Sequence, residues 1–591
     1  MKQQLSNESK RKWLIIIPIL LTVLVLPLIL RMKVIELDAD IQSLWNGSNK
    51  VSDIFSYYKM VFLFACSAFL LIGFILNIDH IEKTKWNLYI LILSLYSILA
   101  ILSTIFSKNM DIALFGFVDR FEGMFTILSY VLLSISCIVF IDKKWEVGVL
   151  YKGLAVTAAI IGIISIMQHI GYDIFRTELV ERLIIPAKFS ALSDMIFSFD
   201  SHAVYATLQN PNYVGSYMAM LMPIAIVLFL SASNKVKLVS YGLLSCIVFL
   251  ALLGSLSRAG IAGAIASIGL LTIFYRNKIK NQKLRLTALL LCMIMAFTIT
   301  NYLEEFKLQE GSSQYLANKR YDKIVNAEPI DNIVLSKEAI KIKTNKSELN
   351  IVLVGKHLSF TNQNSKELRI KQDGEEVTFQ DELYDQYKIT LPSKGGVIRV
   401  GIDNRDISFA YTEKAGFRVL KGNGTLAEID NPEKFGFTGE ERFASARGYI
   451  WSRTIPILRE TLLIGKGPDN FIAYFPQNDF IGKLNVYGTI DVIVDKPHNM
   501  YLQTGINTGV LSLILLLSLF TIYLVSCFKI YNKTSFDNAL EVYGLCSLLA
   551  VCAYLVAGIF NDSVISVAPV FWILLGIGIA INRKLLKKDL S

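Results

Sequence analysis

The stretch Lys496-Pro497-His498-Asn499-Met500-Tyr501-Leu502-Gln503 lies where a long polar segment returns to an apolar one. His498 is one of only five histidines among the 591 residues. An imidazole changes charge near neutral pH, so a histidine that follows a proline at such a boundary is suited to proton transfer. The alternative is a histidine that only caps the next helix. The boundary divides the chain into one polar segment and two apolar regions, and this division decides the fold class.

The apolar regions are too long and too hydrophobic for a soluble protein. Mean hydropathy is +0.47, and 53% of the residues are apolar. Residues 303–496 hold 28 acidic and 27 basic side chains, so the net charge of +10 comes from short loops elsewhere. The remainder consists of apolar runs, and about 20 such residues cross a bilayer. This pattern indicates a polytopic membrane protein with one large polar insertion, and it argues against nucleic-acid binding.

Twelve apolar runs have the length of a membrane span. They lie at about 13–30, 58–77, 87–106, 123–141, 153–170, 213–231, 238–255, 259–275, 287–303, 500–527, 541–560 and 567–582. Basic residues in the short loops favour one side by 22 to nine, and that side carries both termini. Because basic loops stay inside, we expect cytoplasmic termini and a multi-pass protein of the cytoplasmic membrane. Residues 304–498 then face outward.

The polar segment contains two different sequence patterns. Short alternating runs between about 333 and 420 predict seven or so strands of a small β-sandwich. From Phe443 to Leu463 apolar residues recur with a helical period, which predicts an amphipathic helix along the outer membrane face. The predicted fold is therefore an all-α polytopic membrane protein of about 12 transmembrane helices, with an extracytoplasmic β-sandwich-like insertion and amphipathic helices between spans 9 and 10. Its regions are 1–303 (spans 1–9), 304–440 (β-rich insertion), 441–498 (amphipathic-helix segment with part of the site) and 499–591 (spans 10–12).

No metal or nucleotide site is indicated. All seven cysteines lie within or at the edges of apolar runs, and no Cys/His group has metal-ligand spacing. The chain has no Walker loop, no dinucleotide fingerprint after a strand and no Asp-x-Asp pair of the nucleotide-sugar type. We therefore expect no cofactor, and a substrate that arrives by way of the membrane.

Three arginines on the predicted outer side are candidate phosphate ligands. Arg258 lies in the short turn Gly254-Ser-Leu-Ser-Arg-Ala-Gly260 between two spans, where it can either grip a phosphate or extend to lipid headgroups. Arg120 precedes the fourth span, and an interfacial anchor is its alternative. Arg447 lies on the predicted amphipathic helix with Arg442 and Arg453 beside it, and a solvated helix face is its alternative.

Polar residues beside these motifs complete the set of candidates. Asn210 and Asn212 flank Pro211 where the sixth span begins; this is a common helix start, and the amides also suit sugar hydroxyls. Glu122, Asn499 and Gln503 stand next to Arg120 and His498 in the sequence. Each of the five is either a glycan ligand or a structural residue.

Four motifs together resemble the bacterial O-antigen ligase and O-antigen polymerase-like family. They are Arg120-Phe-Glu-Gly123, Asn210-Pro-Asn-Tyr-Val-Gly-Ser-Tyr217, Ser257-Arg-Ala-Gly260 and Pro497-His-Asn-Met-Tyr-Leu-Gln503. The run Ile464-Gly-Lys-Gly-Pro-Asp-Asn-Phe471 is also similar to the segment that precedes the family's histidine. The resemblance covers about 110–275 and 443–575 and leaves out the β-rich part at 333–420.

The resemblance implies a transferase that moves a glycan from undecaprenyl diphosphate to an acceptor hydroxyl during assembly of cell-surface polysaccharides. It implies His498 as the catalytic base, and Arg258, Arg447 and more weakly Arg120 as diphosphate ligands, with no metal. The partners would be the polyprenyl-diphosphate-linked donor, a glycan, lipid or protein acceptor, and the bilayer. Polymerase, ligase and protein O-oligosaccharyltransferase stay open. A transporter or flippase of lipid-linked saccharides is the alternative from another class, although no repeated pair of interrupted helices is visible.

Overall fold

The structure is a computed structural model that describes residues 2–45, 49–77, 88–141, 143–192, 199, 202–311, 327–355, 357–391 and 396–589. Helices make up most of it: α1 Lys2–Leu24, α2 Ala39–Leu44, α3 Tyr57–Leu76, α4 Leu88–Ile105, α5 Met110–Phe115, α6 Met124–Phe140, α7 Lys144–His169, α8 Glu178–Ile184, α9 Pro211–Leu230, α10 Lys235–Gly254, α11 Arg258–Phe274, α12 Arg276–Asn281, α13 Lys283–Gly311, α14 Phe443–Ile457, α15 Phe480–Tyr487, α16 Met500–Asn507, α17 Val510–Tyr531, α18 Ala539–Ala557 and α19 Ala568–Asp589. Short 3-10 helices lie at Leu26–Leu28, Ile174–Arg176, Ala187–Leu192, Glu382–Tyr384, Leu458–Thr461 and Asn470–Ala473.

Long apolar helices confirm a multi-pass membrane architecture. Nine helices in the described ranges are long and apolar enough to cross a bilayer. Three shorter apolar helices, Lys12–Leu28, Met124–Phe140 and Arg258–Phe274, stand at three further predicted positions. The count of about 12 spans stays a prediction, because these three are shorter than a standard span.

Helix α9 forms the centre of the bundle. Its whole apolar length is buried, and α10, α11 and α18 pack around it. Small residues allow this close packing: a Cβ on Gly260 would lie 2.6 Å from the backbone of Gly215, and one on Gly263 would lie 2.3 Å from the carbonyl oxygen of Ala553. The turn that carries Arg258 is therefore held directly against the start of α9.

The predicted tenth span at 500–527 was wrong as one continuous helix. Helix α16 ends at Asn507 and α17 begins at Val510. Gly509 between them has a φ of 104°, which a residue with a side chain rarely adopts. A Cβ there would lie only 2.8 Å from the Leu463 carbonyl oxygen. The break sets α16 apart as a short helix that begins just after His498.

Strands β3 to β13 confirm a β-rich insertion. Their bounds are β3 Ile330–Leu335, β4 Ala339–Thr344, β5 Glu348–Val354, β6 His357–Thr361, β7 Ile370–Asp373, β8 Glu376–Phe379, β9 Tyr387–Thr390, β10 Val397–Ile402, β11 Arg405–Thr412, β12 Gly416–Leu420 and β13 Leu426–Ala427. They form a four-stranded and a seven-stranded antiparallel sheet in which sequence neighbours pair. Side chains of both sheets share one hydrophobic cluster with Phe480 and Leu484 of α15. The sandwich arrangement itself stays a prediction.

A hairpin that the sequence did not predict anchors this insertion to the bundle. Strands β1 Lys33–Glu36 and β2 Lys50–Asp53 pair in antiparallel fashion before α3. The segment between them accepts two bonds from the β12–β13 turn: Lys421 Nζ donates to the Ser43 carbonyl oxygen (2.8 Å), and Asn423 Nδ2 donates to that of Trp45 (3.0 Å). The insertion therefore rests on one end of the bundle, which we call the insertion end.

The predicted amphipathic surface helix was wrong in extent and in exposure. Helix α14 ends at Ile457 instead of Leu463, and Ala444, Ser445 and Ala446 at its start have left-handed backbone angles. Residues from Gly448 to Thr454 are buried on every side of the helix. Arg453 tolerates this because its Nε donates to the buried Asp479 carboxylate at 2.9 Å. The segment is thus part of a packed core instead of lying along a membrane surface.

Candidate functional site

Strained backbone turns occur at all four sequence motifs. Positive φ values at non-glycine residues are found at Asp119, Phe121, Gln209, Leu256 and His498. Such conformations are uncommon and cost about 1–3 kcal/mol each, so they persist where the surrounding structure requires them. Each of these residues lies within or next to a motif, so the backbone is constrained at all four motifs.

The loop between α18 and α19 joins these motifs at the insertion end. Asn561 Nδ2 donates to Ser216 Oγ (2.7 Å) and to the Asn212 carbonyl oxygen (3.2 Å), which ties the loop to α9. The backbone N–H of Met500 donates to the Gly558 carbonyl oxygen (2.9 Å), which ties it to the His498 stretch. Ser563 Oγ also donates to Glu122, so this loop, although far from the motifs in the sequence, contacts three of the four.

His498 and Asp562 form the centre of the site. His498 Nδ1 lies 3.0 Å from Asp562 Oδ2, and the Asp562 side chain is fully buried while that of His498 is 34% exposed. Burial raises the pKa of the Asp562 carboxyl, but His498, Lys496 and Arg120 outweigh it and hold that pKa below its ordinary value. The buried carboxylate stands beside Nδ1, which leaves Nε2 as the ring nitrogen available to take a proton from a substrate.

Asp562 was missed by the sequence reasoning, although a signal was available. It is the one charged residue between the apolar runs 541–560 and 567–582. An ionisable side chain so close to two spans is by default a functional candidate. Its predicted side of the membrane is also that of His498.

Arg120 lies beside this pair but is not accessible. Its Nε donates to Asp469 Oδ1 (2.7 Å), its Nη1 to Asp495 Oδ2 (2.6 Å) and its Nη2 to the Asp495 carbonyl oxygen (3.0 Å). The side chain is only 1% exposed. The structure therefore does not support direct contact between Arg120 and a diphosphate. It supports a bridging role, because the guanidinium links three distant chain segments.

Lys496 is the cation next to His498 in the sequence. Its Nζ lies 3.6 Å from Asp495 Oδ2, and its side chain is 16% exposed. Burial lowers the pKa of Lys496, but Asp495 and Tyr213 outweigh it and raise that pKa above its ordinary value. The pKa of Asp495 lies below its ordinary range, because Lys496 and Arg120 together exceed the opposing effect of burial. Both groups are therefore charged at neutral pH.

Arg447 is the arginine of α14 that reaches this site. Its Nε donates to the Phe560 carbonyl oxygen (2.9 Å) and its Nη1 to that of Ala444 (2.8 Å). Burial lowers the pKa of Arg447, and Asp562 is the foremost charge that opposes this. Its neighbours have other roles, since Arg442 donates to the Asn485 carbonyl oxygen and Arg453 to Asp479.

Arg258 is the exposed first residue of α11. Ser257 caps that helix by accepting a bond from the Gly260 N–H at 3.1 Å. Among the described residues Arg258 has no ion-pair partner, and its cation adds to the positive end of the helix dipole. An exposed guanidinium at a helix N-terminus is well suited to attract an anion such as a phosphate.

The remaining candidates have structural contacts. Asn210 caps α9 and Asn499 caps α16 through their side-chain oxygens, while the Asn212 carbonyl oxygen holds Asn561. Glu122 Oε1 accepts bonds from Tyr130 (2.8 Å) and Ser563 (2.7 Å).

Gln503 continues this network. Its amide lies 3.4 Å from Glu122 Oε2 and also accepts a bond from the Ser563 N–H (2.8 Å). Burial raises the pKa of Glu122 to about 8. The buried Glu122 carboxyl thus links the start of α6 to the Asp562 loop.

Residues 407–517 match the O-antigen ligase family model. The resemblance to an O-antigen ligase-like family is thereby confirmed, and a membrane-bound family agrees with the apolar helices. The matched segment differs from the expected one: it begins inside β11 of the β-rich part and ends in α17, before Asp562. Neither curated proteins nor solved structures give a match to the chain.

Proposed function

We propose that the chain transfers a glycan from a polyprenyl diphosphate, of the undecaprenyl type, to an acceptor hydroxyl at the outer face of the cytoplasmic membrane. The family match supports ligase-like or polymerase-like glycan transfer. The observation that carries the proposal is the contact of 3.0 Å between His498 Nδ1 and the buried Asp562 carboxylate. A transferase needs such a base to take the proton from its acceptor hydroxyl.

In this proposal His498 Nε2 takes the proton from the acceptor hydroxyl as its oxygen attacks the anomeric carbon. The bond between that carbon and the diphosphate oxygen breaks, and polyprenyl diphosphate leaves. Arg258 and Arg447 neutralise the charge that develops on the leaving group, so no metal is required for that task. Asp562 stabilises the imidazolium that forms, because its carboxylate is buried and close.

Arg120 is assigned a positioning role. Its bridge between Asp469 and Asp495 fixes the chain three residues before His498. It therefore acts on the reaction through His498, without touching the diphosphate.

The proposed arrangement keeps both termini in the cytoplasm and residues 304–498 outside. The bias of basic residues in the short loops supports it. The region boundaries at 303, 440 and 498 are part of the same proposal. A glycan or lipid acceptor, as in a polymerase or ligase, is preferred over a protein acceptor, because no feature of the chain points to peptide recognition.

The test uses the purified chain in lipid nanodiscs with a polyprenyl-diphosphate oligosaccharide, candidate acceptors and a chelator. Release of polyprenyl diphosphate should be lost in His498→Ala and in Arg258→Ala. The chain offers matched controls in exposed strand residues, so His357→Ala and Arg399→Ala should keep full turnover. Unimpaired release by His498→Ala would refute its role as base, and release that stops with the chelator would refute metal independence.

A further inference from the structure

Four aromatic side chains form a cluster beside the candidate site. The ring centroids of Phe437 and Phe443 both lie near Trp451, at 5.8 Å and 6.3 Å. Phe560 lies on Trp451 as well, at 5.8 Å. Phe437 and Phe443 stack on each other at 6.0 Å with an interplanar angle of 27°. Such separations are typical of attractive ring contacts. We call Phe437, Phe443 and Phe560 the aromatic platform, with Trp451 as its support.

The platform is continuous with the His498–Asp562 pair. The indole N–H of Trp451 donates to the carbonyl oxygen of Pro497 (2.9 Å), the residue before His498. Phe560 is two residues before Asp562, and its carbonyl oxygen accepts the bond from Arg447. The platform and its support therefore lie next to both members of the pair.

The platform is partly exposed and lies beside charged side chains. Phe443 is 45% exposed and Trp451 only 8% exposed, while Phe437 and Phe560 are half-buried. The adjoining chain carries the exposed charged residues Glu433, Lys434 and Glu440. Charged side chains are costly in hydrocarbon, so this face is not a lipid-embedded one. Exposed rings in a charged loop next to a reaction centre therefore suit a ligand that has both apolar and polar faces.

We propose that the aromatic platform binds the saccharide of the glycan donor. A pyranose presents C–H groups on its ring faces, which pack on an aromatic ring, and hydroxyls on its rim, which stay hydrated or bind nearby charges. The donor is favoured over the acceptor because Arg447, the proposed diphosphate ligand, lies between Ala444 and Phe560. The donor's saccharide is covalently joined to that diphosphate. This inference rests on the proposed function.

The test measures binding without turnover. The full chain is placed in phosphatidylglycerol-containing nanodiscs without acceptor, and the His498→Ala variant is prepared in the same way. Each is titrated with two probes: a polyprenyl-diphosphate-linked disaccharide and the same polyprenyl diphosphate without sugar. Phe443→Ala should weaken binding of the saccharide-bearing probe by roughly threefold to tenfold and leave the sugar-free probe unchanged. Phe443→Tyr, which keeps a ring, should restore binding. Phe435→Ala removes an exposed ring of the same loop, outside the platform, and should have no effect.

Two results would overturn the inference. Equal loss for both probes would show that the rings contact the lipid or the diphosphate, and unchanged binding in Phe443→Ala and Phe437→Ala would show that they contact neither. A variant that does not fold is recognised by its thermal unfolding; if Phe443→Ala does not fold, binding by Phe437→Ala decides. The proposed function is tested separately by turnover. If His498→Ala still turns over but its binding of the saccharide-bearing probe depends on Phe443, the assigned base is wrong and the saccharide-binding role of the platform is supported.

Discussion

Substitution of Asp562 by asparagine isolates the electrostatic part of the proposed mechanism. The amide keeps the shape of the carboxyl but removes its charge, which lies 3.0 Å from His498 Nδ1 at a fully buried position. A charge-assisted contact of this kind contributes on the order of 1.5–3 kcal/mol. Since each ~1.4 kcal/mol of transition-state stabilisation is a factor of ten in rate, kcat should fall roughly tenfold to 150-fold. The KM for the donor should change little, because Asp562 acts through the imidazole.

The assay is steady-state release of polyprenyl diphosphate from a lipid-linked saccharide, with KM and kcat determined separately. Asp537→Asn is the control, because it removes the carboxylate of a largely exposed ion pair with Lys278 (2.6 Å). Such an exposed pair contributes little to stability and lies away from His498, so turnover should not change. If folded Asp562→Asn turned over within threefold of the unchanged protein, the carboxylate would not orient or stabilise His498.

Three further predictions concern stability, measured as the thermal unfolding midpoint in detergent. Arg120→Met should lower the unfolding midpoint strongly, because two carboxylates lose their buried partner, which costs about 3–5 kcal/mol of stability. Arg120→Lys should not restore the midpoint, since one ammonium group cannot replace three guanidinium hydrogen bonds. A fully stable lysine variant would contradict the bridging role. Burial raises the pKa of Glu122 to about 8 from an ordinary 4.5, so the folded state binds the proton more tightly, and the associated stability is lost as pH rises through about 8. Glu122→Gln stays neutral and should therefore lose less stability than the unchanged protein between about pH 5 and pH 9, whereas parallel pH profiles would argue against a buried protonated carboxyl. Gly509→Ala should lower the free energy of unfolding by about 1–3 kcal/mol, because φ is 104° and the new Cβ would lie 2.8 Å from the Leu463 carbonyl oxygen. Gly505→Ala is the control: its Cβ would meet only the tip of the Leu458 side chain, so the loss should be smaller. A larger loss in Gly505→Ala than in Gly509→Ala would refute this reasoning.

Local sequence patterns predicted the parts of the site that lie within short stretches. The Arg258 turn, the helix start at Asn210 and the boundary at His498 all depend on residues a few positions apart. The strained φ of His498 could not be read from the sequence, because a histidine in that conformation is stabilised only by its neighbours in space. The same limit explains why α14 was predicted to be an exposed amphipathic helix. Its apolar residues recur with a helical period, but that period does not show whether other elements cover the polar face. It also does not show that Asp479 neutralises Arg453.

By itself the sequence determined the membrane character of this protein, the β-rich insertion and the identity of His498 and Arg258 as candidates, because hydrophobicity and turn chemistry act over short distances along the chain. Only the tertiary structure decided that Asp562 lies against His498 and that Arg120 forms ion pairs with Asp469 and Asp495. These contacts join residues 64, 349 and 375 positions apart. An ion pair across such distances depends on how the helices pack, and nothing in the separate motifs specifies it. The stretch at His498 is therefore a candidate site only because the loop between the last two helices brings a buried carboxylate to it.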